Sequence, residues 1–115
     1  MVDRKIAIDK EKPVFSIKIS AKYEKNLQAA LDYTLQYWGA VTMVNLHLQI
    51  IKKIDTVAFF PYSNAQNRFL NDVHYREIIL QKFPFVITYR IDNDTIKIIN
   101  IIHTSRNPVK RMAKR

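Results

Sequence analysis

Two long stretches with helical spacing, one short alternating run ahead of them and three strand-like runs behind them predict an α+β domain of order β-α-α-β-β-β. The expected architecture is a helical hairpin packed on an antiparallel sheet. The helical pair is marked by a single break, Gly39, the only glycine in the chain. The sheet is marked by Phe83–Pro108, where alternating apolar residues flank Asp92-Asn93-Asp94, a group suited to a tight turn.

Val14–Ser20 alternates Phe15, Ile17 and Ile19 against Ser16 and Lys18, a first strand that starts after Pro13, where proline is tolerated. Ser20 is placed to cap the next helix, and Tyr23, Leu27, Leu31, Leu35 and Trp38 recur at helical spacing. A second helix is expected from Val41 to Phe59, with Met43, Leu46, Ile50, Ile54 and Val57 in one stripe and Val44, Leu48 and Ile51 beside it; Pro61 marks its end. So short a connection makes the two helices antiparallel, with a wide apolar stripe to cover a sheet. Pro61–Asp72 is polar and turn-rich, Tyr75–Gln81 forms another strand, and Lys82-Phe83-Pro84 turns into the central hairpin. The whole chain, 1–115, reads as one domain, with 1–12 and 109–115 expected to fray.

The register of the hairpin decides which side chains share a face. A two-residue loop at Asn93-Asp94 sets Tyr89 opposite Ile98, Ile87 opposite Asn100 and Phe85 opposite Ile102, giving one nearly apolar face. The other face then carries Thr88, Arg90 and Lys97, with His103 at its end. A three-residue loop would leave Arg90 among isoleucines, so the first register is preferred.

The chain has 19 basic and 10 acidic residues, a formal charge of +9, and no cysteine. Disulfides, thiol catalysis and cysteine-ligated metals are thereby excluded, and no metal or other cofactor is expected. No apolar run reaches membrane-spanning length, and the charged start, MVDRKIAIDKEK, is unlike a secretory signal, so a cytoplasmic protein is expected. Residues 95–115 hold six basic residues and no acidic one, which suits a phosphate backbone or an acidic protein partner.

Tyr89-Arg90 closes one strand and IIHTSRNP, Ile101–Pro108, closes the next. With Ala21 at the helix start, the Trp38-Gly39 break, Phe60-Pro61 and Arg76, this order resembles the RelE/ParE superfamily of toxins from bacterial type II toxin–antitoxin pairs, from Phe15 to Pro108. The resemblance implies a growth inhibitor held by a cognate acidic antitoxin, with no small-molecule substrate. RelE-like members cut messenger RNA on the ribosome, whereas ParE-like members inhibit DNA gyrase.

A nuclease needs a base, a phosphate-neutralising cation and an acid for the leaving oxygen. Arg90 and His103 are the catalytic candidates on that reading, with Arg76, Lys97, Arg106, Lys110 and Arg111 as phosphate or target contacts and Tyr75 or Tyr89 available to stack on a base. Each has a plainer role: Arg90 can pair with Asp92 or Asp94, His103 can be structural, and Lys97 can protect an edge. Tyr33, Tyr37 and Trp38 are expected in helix packing, and the direction of Lys52 and Lys53 is open. The ending His103 to Pro108 with its basic tail resembles the ParE-like branch, and no tyrosine follows Tyr89 to supply the late acid or base of RelE-like nucleases. Gyrase inhibition is therefore the preferred expectation, with ribosome-dependent cleavage and a non-toxic basic binding module as alternatives.

Overall fold

The computed structural model describes residues 15–64 and 74–104. In chain order the elements are β1 (Ser16–Ile19), α1 (Ala21–Trp38), α2 (Ala40–Phe59), β2 (Tyr75–Ile79), β3 (Phe85–Asp92) and β4 (Thr95–His103). The sheet runs β1-β4-β3-β2, with β1 parallel to β4 and the other pairs antiparallel, so it is mixed rather than wholly antiparallel. The helical hairpin covers one face.

Local chemistry fixes the boundaries. Ser20 caps α1: its Oγ accepts from the Tyr23 amide at 3.0 Å and donates to the Ile99 carbonyl at 2.7 Å, tying the helix start to β4. Gly39 takes a φ of +93°, a conformation other residues avoid, and its amide still donates to the Leu35 carbonyl as the chain reverses into α2. Between sheet and helices lie Tyr23, Ala30, Leu46, Ile50, Val57, Ile87, Tyr89, Ile91, Ile96 and Ile98, all buried. The stripe expected on α2 divides: Leu46, Ile50 and Val57 enter this core, whereas Val44, Leu48 and Ile51 are exposed.

The expected register holds only from the turn to Tyr89. Asp92 pairs with Thr95, Arg90 with Lys97 and Tyr89 with Ile98, but Thr88 pairs with Asn100, leaving Ile99 as an extra residue in β4. Beyond this bulge Ile87 faces Ile101, Val86 faces Ile102 and Phe85 faces His103, not the partners expected from an unbroken ladder. The cause is on α1. Asn26 donates to the Asn100 carboxamide oxygen at 2.6 Å, which also accepts from the Ile101 amide at 2.9 Å, while Ser20 takes the Ile99 carbonyl. Polar groups released by the bulge are thus satisfied by a helix that also covers the sheet.

The C-terminal tail, both halves of the fraying expectation and most of Pro61–Asp72 lie outside the described residues.

Candidate functional site

Pairing across the sheet aligns Lys18, Lys97, Arg90 and Tyr75 on β1, β4, β3 and β2. Since Ile96, Ile98, Tyr89 and Ile91 point to the helices, alternation sets this row on the opposite face. Asp92, on the same strand as Arg90, lies 3.2 Å from the Lys97 ammonium and 3.5 Å from the Arg90 guanidinium. The Lys97 hydrogen bond, with the charges of Lys97 and Arg90, holds the Asp92 carboxyl below its usual range. Arg90 also lies over the Tyr75 ring, 5.4 Å from its centroid. The Tyr75 ring, expected to be available to a base, thus carries an arginine instead.

His103 does not join this row. The bulge turns it to the helix side, where its ring meets Phe85 edge-on at 5.4 Å and Tyr33 of α1 at 6.1 Å. It borders a depression of about 370 Å³ with Asn26, Ala30, Tyr33 and Ile101. Arg90 and the Phe85 position that pairs with His103 are five residues apart on β3, roughly 17 Å along a strand. The expected shared face of Arg90, Lys97 and His103 is therefore corrected: two of the three meet, and the histidine stands apart.

Arg76 is also on the helix side, paired with Tyr89. It donates to the Asn64 carbonyl at 3.1 Å and lies over the Tyr62 ring at 5.0 Å. Tyr89 donates to the Pro61 carbonyl at 2.6 Å and accepts from Asn64 at 3.2 Å. Together they clasp the turn that follows α2. Burial raises the pKa of the Tyr89 hydroxyl, against smaller opposing effects of Asn64 and Arg76.

Lys52 and Lys53 border a separate cleft with Gln49, Ser63, Asn64 and Gln81, at the far end of the hairpin from the Trp38-Gly39 break. Tyr37 and Trp38, expected in helix packing, are 62% and 65% exposed, and Tyr33 instead stacks at a tilt on Tyr37, with ring centroids 4.8 Å apart. Arg106, Lys110 and Arg111 lie outside the described residues. Among the described residues no cluster of three or more His, Asp or Glu could hold a metal ion. No described helix is long and apolar enough to cross a membrane.

Sequence reasoning missed Lys18, because a lysine on a short first strand has no visible partner until β1 is seen to pair in parallel with β4. It also missed Asn26 and Asn100. Asn100 is the lone carboxamide within Ile98–Ile102, a polar interruption that signals the bulge once it is known to be buried.

No curated protein matches the chain. A chain from the solved structure of the chromosomal ParDE TA system from P. aeruginosa is similar in fold, with a TM-score of 0.67, at 20% identity over 80% of this chain and 98% of that one. Residues 17–108 match the family model described as the ParE toxin of the type II toxin-antitoxin system parDE, and the chain therefore belongs to the ParE toxin family.

Proposed function

We propose that this ParE-family toxin arrests growth by inhibiting DNA gyrase without cleaving RNA, in the cytoplasm, and that a cognate acidic antitoxin restrains it. The observation that carries the target assignment is the separation of Arg90 from His103 by the two faces of the sheet. On the nuclease reading His103 moves the proton and must come within hydrogen-bond reach of the phosphate that Arg90 holds. Here the cations Lys18, Lys97 and Arg90 stand with Tyr75 on one face, and the imidazole lies against Phe85 and Tyr33 on the other. Membership of the ParE family supports the same reading, since gyrase is the typical target of that branch.

The antitoxin is supported by the family and by charge: a chain with a formal charge of +9 and a cationic sheet row offers an acidic segment a complementary surface. The basic residues after Pro108 would add target contacts, so deleting 109–115 should weaken toxicity more than Arg90→Ala does.

The reading is tested by pulsed expression with plasmid supercoiling and messenger RNA ends followed in one culture. Altered supercoiling with intact messages is expected. New codon-linked RNA ends with unchanged supercoiling would replace it with the nuclease reading.

A further inference from the structure

Lys18, Lys97 and Arg90 stand side by side on β1, β4 and β3, one strand spacing apart, on the sheet face away from the helices. Like charges on neighbouring strands destabilise a sheet, so the fold alone gives no reason for this row. Asp92 pairs with Lys97 at 3.2 Å and with Arg90 at 3.5 Å, whereas Lys18 makes no ion pair among the described residues. Lys18 is exposed, and the Lys97 side chain keeps 52% of its surface in water. Neighbouring cations that share a single carboxylate and remain open to solvent mark a surface for a polyanion.

We propose that this row is a contact for the phosphate backbone of duplex DNA, an inference that rests on the gyrase reading for the duplex at hand. From Lys18 to Arg90 the row crosses two strand spacings, roughly 10 Å, and one strand of a duplex presents a phosphate about every 3.4 Å along its axis. Each cation of the row can therefore meet a phosphate of its own. A single-stranded nucleic acid fits less well, because it binds through bases stacked on open aromatic rings. The aromatic ring of this row, Tyr75, already carries the Arg90 guanidinium.

An acidic antitoxin segment would meet complementary charge here but needs apolar anchors from another part of the surface, because a protein interface takes most of its affinity from buried apolar and aromatic groups. The row offers none. Beside it on the same face lie Ser16, Thr95 and Asp92, and Ile99 is partly buried. Of the exposed large apolar residues on the strands, Ile19 alternates to the helix side, and Ile79 lies four positions along β2 from Tyr75. A backbone contact needs charge alone, since its affinity comes from the counterions that each neutralised phosphate releases.

Fluorescence anisotropy of a labelled duplex, titrated with the full chain over a series of salt concentrations and with no gyrase present, tests the proposal. Wild type is expected to bind with an affinity that falls steeply with salt. Lys18→Gln should weaken binding roughly 5-fold at physiological salt and lower the salt slope by about one unit, the loss of one phosphate contact. Lys97→Gln should do at least as much and serves as the readout if Lys18→Gln fails to fold. Lys25→Gln, on α1, should leave the slope unchanged. An unchanged slope in folded Lys18→Gln would overturn the proposal. So would an equal fall in Lys25→Gln, which would mean total charge rather than the row, or tighter binding to a single-stranded RNA of equal length than to the duplex. A wild type that ignores the duplex but binds polyglutamate through Lys18 would give the row to an acidic protein partner instead. Each of these failures leaves the gyrase reading standing, whereas duplex binding through the row by a chain that does not inhibit supercoiling would overturn that reading alone.

Discussion

Near the hairpin turn the two faces of the sheet are built from the same strands and do opposite things. On the helix side Tyr89, Ile91, Ile96 and Ile98 are at most 2% exposed, and two polar groups there are hydrogen-bonded: Tyr89 holds the Pro61 carbonyl, and Asn100 is held by Asn26. On the other side Lys97 keeps half its side chain in water and Arg90 a third, and their shared carboxylate Asp92 is itself partly exposed. A side chain's chemistry follows from which of these surroundings it enters. One extra residue, Ile99, decides it for everything beyond Thr88. His103 is an apolar-side packing group because of that insertion; in an unbroken ladder it would have shared a face with the cations.

Substitutions should reproduce the contrast, and the largest effect is expected in the covered face. Ile98→Ala removes a fully buried side chain between sheet and helices and should cost about 3 to 4 kcal/mol in denaturant unfolding. Asn100→Ala leaves the Asn26 carboxamide and the Ile101 amide without their acceptor and should cost roughly 2 kcal/mol. If the bulge depends on this network, the same variant should also shift the ring resonances of His103 and Tyr33. Unchanged resonances would mean that packing alone fixes the bulge.

Tyr89→Phe deletes the hydrogen bond to Pro61 and should cost about 1 to 1.5 kcal/mol, with faster amide exchange in residues 61–64. The cationic row should respond least. Lys97→Ala is expected to change stability by less than about 0.5 kcal/mol, since exposed ion pairs contribute little. Its pH signature is more informative. Asp92 has a depressed carboxyl pKa in the folded chain, so its stabilising contribution is present above the unfolded carboxyl's range and is lost as pH falls through the folded value. An Asp92 titration that moves up in Lys97→Ala would confirm Lys97 as the main cause.

Much of the fold was legible in the sequence because it rests on local signals. Ser20, Gly39, Pro61 and Asn93-Asp94 mark ends and turns by their own conformational preferences, and the structure sets α1, α2 and the hairpin strands within a residue or so of the expected limits. The parallel pairing of β1 with β4 was not legible, since Ser16–Ile19 and Thr95–Ile98 are brought together only through the intervening elements. The site was half legible for the same reason. Arg90 and Lys97 face each other across a turn of two residues and could be paired from spacing alone. His103 and Arg76 could not be placed, because the face of one depends on a bulge held by α1 and the partner of the other is the Asn64 carbonyl after α2.

The central claim is that this ParE-family chain acts on gyrase with no catalytic pair formed by Arg90 and His103. It is tested most directly by adding purified toxin to gyrase supercoiling relaxed plasmid and, in parallel, to ribosomes stalled on a messenger RNA, with Arg90→Ala and His103→Ala alongside wild type. The account predicts lost supercoiling, uncut message in every reaction, and inhibition that survives His103→Ala in proportion to the folded fraction. Message cut by the wild type and spared by both variants, with supercoiling unimpaired, would contradict it.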